Sequence, residues 1–332
     1  MTNDTLLPGA SAITKGEVTL PVLSEADVIR LLDPAALIDG LAEGFRAQAR
    51  GHVQCPDRVA IDIPQKGFSL SMPAWIDGGP IAVKVVNVFE GNLALGLPNH
   101  LALISLFDPQ TGMPLCVMDG TAITGLRTAA SAILSVRELA RRDARTVTLI
   151  GAGVQGREHL RLLSLIGDFD EICIASYYPE DAERLAEGNP VAVAVADVEA
   201  AVRRSDIVCL ASHSYTPVIE ADWIRSGTHI SSVGYAPPAG ELPSDLIARA
   251  RLFVESRDAF KSPPVGCGEL AGLDPDEATE LGDILAGVKP GRQSADEITL
   301  YKAMGIAMED LVAATIVYQN AIATGSGKIS VL

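Results

Sequence analysis

Three cations sit where cations are costly: Arg58 in "DRVAIDIP", Lys84 in the middle of "IAVKVVNVF", and Arg127 in "TGLRTAAS". A valine-rich strand favours burial, and an ammonium group does not. Singly, each has a plain structural reading. Lys84 can be an edge-strand lysine bent to solvent, Arg127 a helix-surface charge, and Arg58 a strand-end ion pair with Asp57 or Asp62. Together, two guanidinium forks and an ammonium make a pocket for one carboxylate. Arg127 also heads the helix that leads to a glycine-rich loop, where it is placed to touch both a substrate and a cofactor phosphate. Lys84, its pKa lowered by burial and neighbouring cations, is the first candidate for moving a proton.

That loop is the second constellation. Gly151, Gly153 and Gly156 form G-x-G-x-x-G directly after the strand-like "TVTLI" and directly before a helical stretch. The first glycine permits the tight turn, the second lets a pyrophosphate approach the backbone, and the third allows close helix-to-strand packing. Free N–H groups and the helix dipole then favour the phosphates. About 25 residues on, the next strand ends in "IASYYPEDAERL". Ser176 and Tyr177 stand where an acidic residue would hold a ribose 2′-hydroxyl, and no arginine has arrived for a 2′-phosphate. NADH and NADPH both stay open.

The elements that position these residues follow from the hydrophobic pattern. Residues 1 to 20 lack a period and read as a loose arm. "LSEADVIRLLDPAALIDGLAEGFRAQARG" reads as two short helices, with Ser24 as N-cap and Gly51 as stop. From about 58 to 118, short apolar or alternating runs separated by Gly, Pro and Asn predict an antiparallel meander. After the helix containing Arg127, strand-like pieces at "TVTLI", "EICIAS", "VAVAVA", "DIVCLAS", "THISSVG" and "ARLFVES" alternate with helical ones, as in a doubly wound parallel sheet. The segment after about 300 reads as one long amphipathic helix with no strand following, returning to the first domain. The expected division is 1–135 for the first part of a substrate-binding domain, 136–300 for a Rossmann domain, and 301–332 for the returning helix.

Composition bounds the rest. At 332 residues the chain exceeds one ordinary core. No apolar run reaches the roughly 18 residues of a membrane span, and the N-terminus lacks a signal-peptide pattern, so a cytoplasmic protein is expected. Five scattered cysteines without a C-x-x-C pair indicate neither a disulfide framework nor a metal site. A formal charge of -16 opposes nucleic acid and anionic membrane as partners.

Several blocks carry a resemblance: "SMPAW", "AVKVVNVFEGN", "LPNHLALISLFDPQTGMPLCVMDG", "AITGLRTAASA", "IGAGVQGREHL", "SVGYAPPAGEL" and "LGDILAGVKPGRQSADEITLYKAMGIAMEDLVAA". In this order, from about residue 24 to 322, they resemble the ornithine cyclodeaminase and mu-crystallin family. The resemblance implies a homodimer, a split α+β domain that binds substrate and builds the dimer, and a Rossmann-type domain that holds NAD or NADP. It implies that Arg58, Lys84 and Arg127 grip a substrate carboxylate. It further places Val154 and Gln155 at the phosphate loop and Ser176 at the ribose. Asn99, Arg127 and Thr128 become further cofactor contacts, with Ser212, Val233 and Gly234 along the cofactor.

Two departures redirect the expected activity. Cyclodeaminases of the family carry an aspartate just after the "VG" turn, where this chain has Tyr235, Ala236 and two prolines. They also carry an acidic residue two places before the Met-Pro pair, where this chain has Leu70. Ring closure with loss of ammonia needs such acid/base groups. The expected activity is therefore the family's other one, NAD(P)H-dependent reduction of a small 2-imino carboxylic acid to the L-amino acid, or its reverse. Pyrroline-2-carboxylate, piperideine-2-carboxylate, iminosuccinate and iminopyruvate equivalents are candidate substrates. A cyclodeaminase using NAD catalytically, and a non-enzymatic mu-crystallin-like ligand binder, are the alternatives.

Overall fold

The chain is described by a computed structural model that covers residues 13–14 and 17–331. It opens with strands β1 (Ile13–Thr14) and β2 (Glu17–Leu23), so part of the expected loose arm is strand, while residues 1–12 and 15–16 lie outside the described residues. Helices α1 (Glu25–Leu31) and α2 (Pro34–Ala49) follow. Ser24 and Asp27 cap α1 reciprocally, and Asp33 caps α2 with Pro34 as its first residue, so both starts obey ordinary capping chemistry.

Next come β3 (Val53–Gln54), β4 (Val59–Ile63), β5 (Gly67–Ile76), β6 (Ile81–Val88), β7 (His100–Phe107) and β8 (Pro114–Asp119), then α3 (Thr121–Leu139). Strands and helices then alternate: β9 (Thr146–Ile150), α4 (Val154–Leu163), β10 (Glu171–Ala175), α5 (Pro179–Ala186), β11 (Ala192–Ala194), α6 (Val198–Arg204), β12 (Ile207–Leu210) and β13 (His229–Ser232). The chain continues through α7 (Ser244–Arg249), β14 (Arg251–Val254), β15 (Thr279–Glu280), α8 (Leu281–Leu285), β16 (Thr299–Lys302), α9 (Ala307–Thr324) and β17 (Lys328–Val331). Two expectations are corrected here. Tyr301 and Lys302, expected to open the last helix, instead close the strand "TLYK", whose four side chains are buried in the parallel sheet. A strand, β17, also follows α9 and pairs antiparallel with β2.

Two units result, one of residues 1–127 and 306–332, the other of residues 128–305. The division falls inside α3, between Arg127 and Thr128, and again just before α9.

In the first unit a nine-stranded sheet runs β1-β2-β8-β7-β6-β5-β3, with β17 on β2 and β4 on β5. The β4 to β8 stretch is the antiparallel meander that the sequence predicts. Lys84 lies on β6, flanked by β5 and β7, so it is in the sheet interior and not on an edge. Its transverse row reads Met72, Lys84, Ile104, Met118, all buried. Residues opposite one another on paired strands share a face, and this is the face that α9 covers.

In the second unit an eight-stranded parallel sheet runs β11-β10-β9-β12-β13-β16-β14-β15. The first five positions are the strand order of a dinucleotide-binding fold, with its topological switch between β9 and β12. Its strands are buried runs of Ile, Val and Leu, as a sheet covered on both faces requires.

Candidate functional site

The first unit converges on Lys84. Period-2 alternation sends it inward with Ala82 and Val86, and it is 2 % exposed. The snorkelling reading fails, because α9 lies over this face and brings an anion instead. Lys84 Nζ is 2.6 Å from Asp310 Oδ2. Burial pulls the Lys84 pKa down to about 8, assisted by Arg127 and Arg58 and opposed by Asp310. The charge of Arg58 thus reaches Lys84.

Arg127 is anchored to α9. It is buried on α3, and its Nη1 donates to Glu309 Oε2 at 2.7 Å while Nε donates to Asp310 Oδ1 at 3.1 Å. Two of its five N–H donors are therefore directed to α9. Glu309 and Asp310 sit in the first turn of α9, where the helix dipole stabilises carboxylates. Lys84 and Arg127 thus share the two carboxylates of α9 in one buried ionic cluster.

Sequence reading missed Glu309 and Asp310. Their signal is of the same kind that exposed Lys84: two adjacent acids inside the apolar run "MGIAMEDLVAATIV". A buried lysine with one anionic partner keeps two further ammonium donors. Among the described residues, Asp310 is the one ion-pair partner of Lys84.

The second unit gathers its predicted residues at the carboxyl ends of the central strands. Gly151 follows β9, Ser176 follows β10, Ser212 stands two residues past β12, and Val233 and Gly234 follow β13. The glycines are needed by geometry. A Cβ on Gly151 would come 2.3 Å from Ala211 O, and one on Gly156 would come 2.0 Å from Gly151 O. At Gly153 a Cβ would meet nothing within 4 Å, and no side chain caps this start of α4. The loop therefore fits a pyrophosphate: open space beside Gly153 at the start of α4, where the helix dipole favours an anion. Asn99, just before β7, belongs to the first unit, and Thr128 opens the second.

One element of this rim was not anticipated. The carboxylate of Glu241, from the "SVGYAPPAGEL" loop, accepts from the Ser212 amide and hydroxyl at 2.9 and 2.6 Å and from the Ser232 hydroxyl and Gly234 amide at 2.8 and 2.7 Å. The Ser212 and Gly234 amides are thus held by protein, and what they offer a cofactor is shape rather than those donors. Behind them, Lys302 Nζ donates to Gly234 O and Ser232 Oγ and pairs with Glu269 Oε2 at 2.8 Å. On α4, burial lowers the His159 pKa to about 4, so its ring is neutral and Nδ1 donates to the Gln155 carbonyl.

Among the described residues no group of three or more His, Cys, Asp or Glu side chains is placed to hold a metal ion. Four of the five cysteines are buried, and all five are free thiols. No helix among them is long and apolar enough to cross a membrane.

A parallel sheet in dinucleotide-binding order with an open glycine loop, together with a second unit built around buried cations, defines a nucleotide-dependent class of α/β protein. Residues 19–325 match the model of the ornithine cyclodeaminase/mu-crystallin family, and the chain belongs to that family. It is 32% identical to an alanine dehydrogenase of Archaeoglobus fulgidus over 92% of this chain and 96% of that protein. It is 32% identical to the ketimine reductase mu-crystallin of Mus musculus over 85% of this chain and 90% of that one. Among solved structures, the Thermococcus litoralis Δ1-pyrroline-2-carboxylate reductase in complex with NADH and L-proline superposes with a TM-score of 0.86 at 34% identity, covering 93% of this chain and 99% of that chain.

Proposed function

We propose that this protein reduces a small 2-imino carboxylic acid to the corresponding L-amino acid, with NADH or NADPH as hydride donor, or runs the reverse dehydrogenation. The observation that carries the proposal is Lys84: a buried ammonium, tied by one ion pair to Asp310, with the charges of Arg127 and Arg58 acting on it. The relatives named above act on amino acids or ketimines, which supports the same reading.

The reaction adds a hydride to the imine carbon and a proton to its nitrogen. When bound, the nicotinamide cofactor supplies the hydride; Gly151, Gly153, Val154, Gln155 and Gly156 would hold its pyrophosphate, and Ser176 its adenosine ribose. What the chain itself does is hold and protonate. Arg58, Arg127 and Lys84 neutralise the substrate carboxylate, which fixes the imine carbon and removes the translational freedom that would otherwise oppose reaction. Lys84 Nζ, with a pKa of about 8, is charged at neutral pH yet gives up a proton readily, so it suits a general acid toward the imine nitrogen. Asp310 orients that ammonium. In the reverse direction the neutral amine of Lys84 takes the proton back.

The test is to incubate the protein with NADH or NADPH and a panel of cyclic and linear imino acids while following nicotinamide absorbance. Net cofactor oxidation is expected, and its absence with every imine refutes the reading. Ornithine converted to proline and ammonia without net cofactor change would make the protein a cyclodeaminase. Binding without turnover of any substrate would make it a ligand-binding protein.

We also infer a homodimer, supported by the sheet face opposite Lys84. There Val59, Val85 and Leu103 stand in one transverse row and Ile61 and Leu101 in the next, all exposed. An apolar patch of this kind on a sheet marks an interaction surface. Light scattering should give twice the monomer mass, and Leu103→Lys should lower it toward the monomer. A cytoplasmic location accords with the composition.

A further inference from the structure

We propose that the adenosine-ribose end of the cofactor subsite rejects a 2′-phosphate, so that the protein takes NADH in preference to NADPH. This rests on the dinucleotide reading above and adds a choice that the sequence pattern left open.

The second strand of a dinucleotide-binding sheet presents its tip to the adenosine ribose. Here that strand is β10, ending at Ala175, and its tip reads Ser176, Tyr177, Tyr178, Pro179, Glu180, Asp181. A 2′-phosphate brings nearly two negative charges and needs cations or free N–H groups. Pro179 is the first residue of α5 and has no N–H to give. Glu180 and Asp181 follow in the first turn, so carboxylates already occupy the positive end of the helix dipole.

Within this stretch the cations do not balance the carboxylates. Between residues 176 and 187 four carboxylates, Glu180, Asp181, Glu183 and Glu187, stand against one guanidinium, Arg184. That guanidinium is held 2.9 Å from Asp181 and faces solvent. Tyr177 is 90 % exposed and makes an edge-on contact with Tyr178, the ring centroids 5.0 Å apart. The tip thus offers aromatic surface and hydroxyls, which suit an uncharged adenosine, and surrounds them with acid.

The experiment is a titration of the full-length protein with NADH and with NADPH, read by nicotinamide fluorescence and without any imine. NADH should bind at least about tenfold tighter at low ionic strength, and the ratio should shrink as salt rises, because the discrimination is carried by exposed charges. Tyr177→Arg combined with Asp181→Asn should bring the two affinities to within a few-fold of each other. Equal or tighter binding of NADPH by the natural chain overturns the proposal, and so does a preference that salt leaves untouched. A loss of NADPH binding alone in Arg157→Ala would place the 2′-phosphate on α4 and overturn it as well. If neither nucleotide binds, the dinucleotide reading itself falls, whereas a missing or reversed preference with both bound sinks the specificity proposal alone.

Discussion

Lys84 and Lys302 are the same residue type, buried to the same degree on strands of two different sheets, and they are held in opposite ways. Lys302 has three partners, Ser232 Oγ, Gly234 O and Glu269 Oε2, which matches the three donors of an ammonium group. Lys84 has Asp310 and, among the described residues, no second ion-pair partner. A fully satisfied buried network rigidifies a structure, whereas a partly satisfied one is unstable in the chain alone and gains by binding a complementary group. The comparison teaches where to look for function. Burial of a charge is common to both lysines, and the count of committed donors separates them.

The strongest way to break that contrast is to remove each lysine. Lys84→Met should lower kcat/KM by about three orders of magnitude, through loss of both a proton donor and part of the carboxylate grip. The variant should remain folded by circular dichroism, since Asp310 keeps its contact with Arg127. Lys302→Met leaves Glu269 and the Gly234 carbonyl without their ammonium, so folded yield and melting temperature should fall first, by about 3–5 kcal/mol of stability. Equal losses of activity per folded molecule in the two variants would erase the distinction.

The next test concerns the partner rather than the lysine. In the reductive direction kcat/KM should hold level to about pH 8 and then fall about tenfold per unit, as Lys84 loses its proton. Asp310 raises the Lys84 pKa, so Asp310→Asn should move this alkaline limb below pH 8. The same change removes the negative charge that pairs with Arg127, and the chain should lose a few kcal/mol of stability, read from urea unfolding. Lys84→Arg should show no limb in this range, because a guanidinium keeps its proton. A limb that persists in that variant would assign it to another group.

How legible all this was from sequence depends on the range of the interaction. The glycine loop, the meander and the alternating strands are local: each is set by period, capping or turn chemistry within some twenty residues, and each appears where expected. β16 was hidden because only residues 303–306 separate it from α9, so the two periods blur. Glu309 and Asp310 were hidden for a different reason. Asp310 meets Arg127 across a separation of 183 residues, and no local pattern encodes that pairing. Each half nevertheless left a trace, a charge inside an apolar run, and matching such anomalies by sign would have joined "AVKVV" and "GLRTA" to "AMEDL". Glu241 left less, since an acid at the end of a proline-rich loop reads as surface until the loop folds back on Ser212 and Gly234.

The smallest expected effect contrasts the histidines of the two units. His52 and His100 of the first unit are exposed, whereas His229 of the second is fully buried between Ser135 Oγ and Thr299 Oγ1. Burial, with Arg292 nearby, lowers the His229 pKa from 6.5 to about 3. The unfolded chain therefore takes up a proton near pH 6.5 that the folded chain refuses until near pH 3. The stability that His229 contributes is present above pH 6.5 and is lost as pH falls through that window, at about 1.4 kcal/mol per pH unit. Between pH 7 and pH 5 the urea midpoint of the natural chain should drop, and His229→Gln, which cannot titrate, should recover about 2 kcal/mol of that drop. His159, at about 4, should leave a residual slope of the same sign. If His229→Gln shows the same acid dependence as the natural chain, the buried histidine is not what makes the second unit acid-sensitive.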